Sequence, residues 1–294
     1  MTMRVLLATD GSGDARAAAA WLERCPLPEG SRLRVVSVVS IPPSALDIAP
    51  VREFNAALRK AAAEEIEAAS AQLGARFASS DTQVLEGDAR EAILHAAAEW
   101  PADLVVLGAR GLGAVAGFLL GSVSLGVVRH ARCSVLIVKQ GVPLGGGIVI
   151  GVDGSDAAAA AAAFVARLPL DPATPVQLVG VVQSPTVPGT TPHFAQGIVR
   201  EAVASIVKER TEVLEQAMAR AASPLSALVK NVDRQVLVGH PTQALLDVAA
   251  RRGAGLIVVG ARGLGSLERL LLGSTSEGVL RHADRPVLIV RSAA

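Results

Sequence analysis

Two short segments carry residue types and spacings that could hold an anion. Gly108-Ala109-Arg110-Gly111 is followed, nine residues later, by Gly121-Ser122. Gly260-Ala261-Arg262-Gly263 is followed, again nine residues later, by Gly273-Ser274. An apolar run leads into each, Leu104-Val105-Val106-Leu107 and Leu256-Ile257-Val258-Val259, and a helix-like stretch ending in Arg-His follows each. The first glycine therefore falls at a strand end and Gly-Ser at a helix start. Glycine there admits φ > 0 and lets a ligand approach the main chain closely. Open N–H groups and the positive end of a helix dipole make an anion site. The chemistry expected is phosphate binding, present twice. Arg110 and Arg262 are candidate charge-assisted donors, with solvated loop positions as their alternative.

The elements that must position these loops alternate. Arg4–Thr9 reads as a buried strand ending in Asp10-Gly11-Ser12, and Asp14–Arg24 as an alanine-rich helix. Leu33–Val39 is a second strand, Ile41–Pro50 a proline-bearing loop, and Glu53–Ala75 a helix. Thr82–Glu86 is a short strand, Ala89 to about Trp100 a helix, and Val135–Val138 the last strand, after His130. Strands alternating with helices imply right-handed βαβ units and a parallel sheet covered on both faces.

Gln140–Gly147 then reads as a linker, and the pattern recurs. Ile148–Val152 ends in Asp153-Gly154-Ser155, and 22 of 36 positions are identical between Asp103–Val138 and Gly255–Val290. The second copy carries a longer loop, Ser184–Gly197. Self-similarity of this length means two copies of one domain. The expected division is 1–140, a linker at 141–147, and 148–294. The expected fold is α/β: two tandem open parallel five-stranded sheets, Rossmann-like, with helices on both faces and strand order 3-2-1-4-5. In such sheets ligands bind beyond the strand carboxyl ends, where strand order reverses. Asp10 and Gly108 would then face one crevice, as would Asp153 and Gly260. The carboxylate suits ribose hydroxyls, so a nucleoside phosphate fits both features. A plain helix N-cap is the alternative reading of each aspartate.

Composition narrows the class. The chain has 294 residues, 51% of them hydrophobic and 19% charged, enough for two domains with sizeable cores. Aromatic residues make up 2%, with no tyrosine, which argues against base-stacking platforms. A net charge of +1 gives no broad basic field for nucleic acid. Cys25 and Cys133 have no metal-ligand spacing and read as packing residues. Met1-Thr2-Met3-Arg4 runs directly into a strand without a signal-peptide layout, and no apolar run reaches membrane-spanning length. The expectation is a cytoplasmic protein with no membrane or nucleic-acid partner and no metal site built by the protein alone. His130 and His282 fall at helix ends, where histidine favours the negative dipole end. His95 reads as structural, and His240, opposite Asp88 in the first copy, has no assigned role.

Gly-x2-Gly-x9-Gly-Ser after a strand, paired with an early aspartate, resembles the ATP-binding universal stress proteins in tandem form, over nearly the whole chain. That resemblance implies ATP, with or without Mg2+, across the first and fourth strand ends of each half. It implies Asp10 near adenosine and the main chain around Val38 touching adenine. Gly108, Gly111, Gly121 and Ser122 would hold ribose and phosphates, with Val123 and Ser124 lining the site. The matching second-half positions are Asp153, Val181, Gly260, Gly263, Gly273, Ser274, Thr275 and Ser276. It also implies that the apolar edges Val135–Val138 and Val287–Val290 pair antiparallel, making a pseudo-dimer within one chain; a homodimer of two chains is left open. A Gly-x4-Gly-Lys-[Ser/Thr] loop is absent, and no second carboxylate or histidine is placed to orient water. A nucleotide-dependent regulator is therefore expected ahead of a slow ATPase or other nucleotide-using enzyme, or an interaction protein with empty sites.

Overall fold

The computed structural model describes residues 2–40, 48–112, 120–141, 145–185, 196–263 and 272–292. Outside the described residues lie 41–47 of the proline-bearing loop, 142–144 of the linker and 186–195 of the longer second-half loop. So do 113–119 and 264–271, between the motif glycines.

The first half runs β1 (Arg4–Ala8), α1 (Gly13–Arg24), β2 (Arg32–Val39), α2 (Ala49–Leu73), β3 (Ser79–Glu86), α3 (Ala89–Glu99), β4 (Leu104–Gly108), α4 (Ser122–His130) and β5 (Ser134–Val138). The second runs β6 (Gly147–Val152), α5 (Asp156–Ala166), β7 (Val176–Val182), α6 (Gln196–Ser226), β8 (Val232–Val238), α7 (Pro241–Arg251), β9 (Ala254–Gly260), α8 (Ser274–His282) and β10 (Val287–Val290). Within each half the strand order is the expected 3-2-1-4-5. The two halves share one ten-stranded sheet, β3-β2-β1-β4-β5-β10-β9-β6-β7-β8. The join is antiparallel, with Val287 opposite Ile137, Leu288 opposite Leu136 and Ile289 opposite Val135. All other strand pairs are parallel.

The join follows from the residues. Every residue of β5 and β10 is buried. An apolar edge left open would expose both side chains and unpaired main chain, so the halves cover each other. β3 and β8, the outer edges, carry polar residues and show mixed exposure instead. One core lies under α1, α2, α5 and α6, and the other under α3, α4, α7 and α8. Each fully buried Leu, Ile or Val in them contributes about 1.5–3 kcal/mol.

Charged contacts also cross the join. Lys139, just after β5, donates to the carbonyl oxygens of Arg281 and Ala283 at the end of α8. Arg291, just after β10, donates to those of Val128 and Arg129 at the end of α4, at 2.8 and 2.7 Å. Each half thus places a cation at the other's helix C-terminus. Burial, then Arg110, pulls the Lys139 ammonium below its ordinary pKa. Arg129 also meets Glu277 at 2.9 Å, and Arg281 meets the same carboxylate at 2.7 Å.

Partial burial raises the Glu277 carboxyl, but the two arginines outweigh it and hold its pKa below the ordinary value. A depressed carboxyl contributes stability above its unfolded pKa and loses it as pH falls through the folded one. Glu277→Gln should therefore cost about 1 kcal/mol at neutral pH, the upper end for a partly exposed pair. Denaturant unfolding should show that difference shrinking as pH falls through the depressed pKa of the folded carboxyl. A cost independent of pH would contradict the assignment.

Candidate functional site

Both glycine loops sit where β1 and β4, or β6 and β9, end side by side. β1 and β4 pair in parallel, as do β6 and β9, so their carboxyl ends face the same way. The Asp-Gly-Ser turns need glycine conformationally: Gly11 has φ 73° and Gly154 φ 88°. The helix N-caps are serines, not the aspartates. Ser12 accepts from the Ala15 N–H and Ser155 from that of Ala158. Asp10 is left free for another task. Its Oδ1 accepts from Ser12 N–H at 3.1 Å, and its Oδ2 reaches across to Leu112 N–H at 2.9 Å. Asp153 makes the matching bond to Ser155 N–H at 3.0 Å. Both aspartates are exposed, and each carboxylate oxygen keeps acceptor capacity for a further donor.

The motif glycines are needed for space. None of Gly108, Gly111, Gly121, Gly260, Gly263 and Gly273 has a positive φ, contrary to the conformational expectation. A Cβ on Gly111 would fall on Asp10 Oδ2, and one on Gly263 on Asp153 Oδ2. A Cβ on Gly108 would lie 2.6 Å from Ala15 N, and one on Gly260 2.6 Å from the Ala157 carbonyl carbon, against the first helical turn. The glycines let an acid and a helix start come close to a strand end, which is the crevice the sequence predicts.

The helix starts complete the site. Gly121 and Gly273 are the N-caps of α4 and α8, and neither helix has a side-chain cap bond. Their own N–H groups turn back to the carbonyl oxygens of Ala109 and Ala261, at 2.8 and 2.9 Å. Ser122 and Ser274 stand exposed at the first helical positions, with the partly buried Val123 and Thr275 next. Ser124 and Ser276 are 5% exposed, and each hydroxyl donates to the carbonyl of Gly108 or Gly260 at 2.7 Å. They brace the strand end, leaving only an oxygen lone pair toward a ligand.

Val38 lies near the end of β2, half-buried. The last bond from the β1 segment to β2 runs from Thr9 N–H to the Val36 carbonyl, while the Val39 carbonyl accepts from Gly87 on the other side. Alternation along a strand therefore turns the Val38 N–H and C=O into the gap beyond β1. Val181 occupies the same place in β7, where the Val182 carbonyl accepts from Gly239.

The arginines differ between the halves. Arg110 pairs with Asp14 at 3.2 Å, a carboxylate whose side chain is 3% exposed and which also accepts from Gln140 N–H at 2.7 Å. At the matching place the second half has Ala157, and among the described residues Arg262 has no ion pair. The Arg291 guanidinium, pulled down first by burial, feels Arg262 as its next influence. Asp14 escaped the sequence reading because it looked like an ordinary first-turn acid. Its replacement by alanine in the second copy was the available signal.

The remaining expectations are placed as follows. His130 Nδ1 lies 2.8 Å from the Gly126 carbonyl at the end of α4. His95 meets Glu99 at 3.3 Å on an exposed helix face. Burial pushes the Cys25 thiol up to about 12 and Cys133 up to about 11, as inert packing residues require. Among the described residues no group of three or more His, Cys, Asp or Glu could hold a metal, and no helix is long and apolar enough to cross a membrane.

Comparison with known proteins agrees with this geometry. The universal stress protein family model matches residues 1–139 and again 147–291. A universal stress protein of Thermus aquaticus is 40% identical over 139 residues, 47% of this chain and 100% of the relative. One from Mycobacterium tuberculosis is 31% identical over 204 residues, 65% of this chain and 63% of the relative's length. In fold, a universal stress protein crystal structure from Archaeoglobus fulgidus matches with TM-score 0.67 at 20% identity, over 98% of this chain and 96% of that one. The α/β sheet, built twice with a glycine loop at the same strand end, defines a tandem protein of Rossmann-like fold. The chain belongs to the universal stress protein family, twice over.

Proposed function

We propose that this chain is a nucleotide-dependent regulator of the stress response, cytoplasmic, with one ATP site in each half. The supporting observation is the repeated convergence of an exposed aspartate, a glycine loop and an uncapped helix N-terminus on one strand-end crevice. Asp10 and Asp153 would accept ribose hydroxyls. Ser122 and Ser274, at the open helix starts, would offer main-chain N–H groups to phosphates, and Gly111, Gly121, Gly263 and Gly273 would let the phosphates come close. The outward-turned N–H and C=O of Val38 and Val181 would read adenine. Mg2+ would arrive with the phosphates. The antiparallel β5–β10 pairing supports reading the two halves as a pseudo-dimer of the expected domains, 1–140 and 148–294. A regulator is favoured over an enzyme because the sequence has no Gly-x4-Gly-Lys-[Ser/Thr] loop, and Asp10 and Asp153 already accept from main-chain N–H groups of their own turns. Binding without turnover is what such a site does best.

Ligand that binds only the folded state stabilises it by about 2.7 kcal/mol at a hundredfold excess over Kd. ATP with Mg2+ should therefore raise the melting temperature of nucleotide-stripped protein clearly. GTP should raise it less, because its base edge presents the opposite donors and acceptors to Val38 and Val181. Equal shifts from the two would remove the adenine assignment; no shift from either would remove nucleotide binding.

A further inference from the structure

A cavity of about 360 Å³ lies between α7 and α8, and its lining differs from the matching residues of the first half. His240, Thr242 and Gln243 face it from the start of α7, and Ser274, Thr275 and His282 from α8. The difference arises at two matched positions. In the first half Asp88 caps α3, accepting from Glu91 N–H at 3.0 Å. Arg90 pairs with Asp88 and Glu91, at 3.8 and 3.2 Å, and its stem lies against α4, 2.6 Å from where a Cβ on Gly126 would sit. The first half thus fills this place with its own carboxylate and guanidinium. In the second half His240 replaces Asp88 and gives α7 no side-chain cap. Thr242 replaces Arg90, and its short side chain opens the space.

The polar groups left behind are unspent. Thr242 is 9% exposed, its hydroxyl points across to Gly278 of α8, and among the described residues it has no hydrogen-bond partner. The rings of His240 and His282 also have none among them, whereas His130, matching His282, is bonded to the Gly126 carbonyl. α8 likewise starts without a side-chain cap. The one acid close by, Asp247, accepts from the Gln243 side chain at 2.7 Å. Two uncapped helix starts, the Thr242 hydroxyl and the His240 imidazole line the groove where the first copy supplies a negative charge of its own, with His282 at the opposite end of α8.

We propose that this cavity is a phosphate-class anion site particular to the second half, with the ligand taking the role that Asp88 plays in the first. The phosphate is either free in solution or a group carried by a nucleotide seated in the neighbouring loop. Ser274, Thr275 and the α8 start are shared with the glycine-loop site, so the nucleotide arm rests on that reading, whereas the free-anion arm stands on His240, Thr242 and the start of α7.

The test is titration calorimetry on the full chain with inorganic phosphate, and with ATP in a Gly111→Val background that leaves only the second half to bind it. His240→Asp installs the residue the first half already tolerates, and thermal unfolding checks that it stays folded. It should weaken one of these ligands by at least about tenfold, the scale of a lost charge-assisted contact. Weakening of inorganic phosphate alone identifies a free anion, and weakening of ATP identifies a nucleotide's own phosphate. Thr242→Val, which removes only the hydroxyl, should weaken the same ligand severalfold. Wild-type affinity for both ligands in His240→Asp overturns the proposal. So does loss of inorganic phosphate in Gly263→Val with His240→Asp unaffected, which would place that anion in the glycine loop.

Discussion

Valine at both Gly111 and Gly263 should abolish nucleotide binding while the sheet and helices survive. Neither glycine has a positive φ, so the substitution strains no backbone. The new Cβ would instead fall on the carboxylate of Asp10 or Asp153. Both carboxylates are exposed at turns and can swing aside, so the core is spared. Swinging aside breaks the Asp10 bond to Leu112 N–H, withdraws the ribose acceptor and places side-chain bulk over the main chain that phosphates would approach. Hydrogen bonds involving a charged group are worth about 1.5–3 kcal/mol each. Losing two per site lowers affinity by about a hundredfold or more. Circular dichroism should be unchanged, and each single mutant should remove one site and keep the other. A folded double mutant with wild-type affinity for ATP would show that the loops are not the phosphate site, while the fold would stand.

Valine at Gly108 or Gly260 should do the reverse and damage the fold first. There the added Cβ would lie 2.6 Å from backbone atoms of the first turn of α1 or α5. Backbone held by a capped helix cannot yield as an exposed carboxylate can. Overpacking of this kind costs about 1–3 kcal/mol and occasionally more. Denaturant midpoints should fall markedly in each variant, and any ATP binding should track the folded fraction. Unchanged stability would mean that the strand end and helix start are not locked together. On these expectations the first two glycines of each motif copy divide, one serving the ligand and one serving packing.

That division was not legible in the sequence, where all the glycines look alike. What was legible had strong periodicity behind it. Leu104-Val105-Val106-Leu107 reads as a central strand because both faces of β4 are covered, leaving no polar position to blur the run. Alternating elements implied the parallel sheet, whereas the order 3-2-1-4-5 was an expectation that alternation alone does not fix and the antiparallel join was what the family resemblance implied. The misplaced boundaries were polar or proline-bearing. β3 begins at Ser79, ahead of the expected Thr82, because Ser79-Ser80-Asp81 lie on an outer edge that tolerates polar side chains. α2 begins at Ala49, inside the segment read as loop, because Pro50 sits in the first turn, where a missing N–H costs nothing. Asp10 was the cap candidate in the sequence, and only geometry assigns capping to Ser12 and loop bracing to Asp10. The unlike members of matched pairs, Asp14 with Ala157 and Asp88 with His240, held the rest of the information. A repeat shows what is shared, and the departures from it show where the two halves have separate work.

The most direct test of the central claim is the number of nucleotides bound per chain. Titration calorimetry with ATP and Mg2+ on nucleotide-stripped protein should give a site number near two. Asp10→Ala and Asp153→Ala should each lower it toward one, because each removes the acceptor of one crevice. A site number near zero would contradict the account outright, and a value near one that Asp153→Ala leaves unchanged would contradict it for the second half.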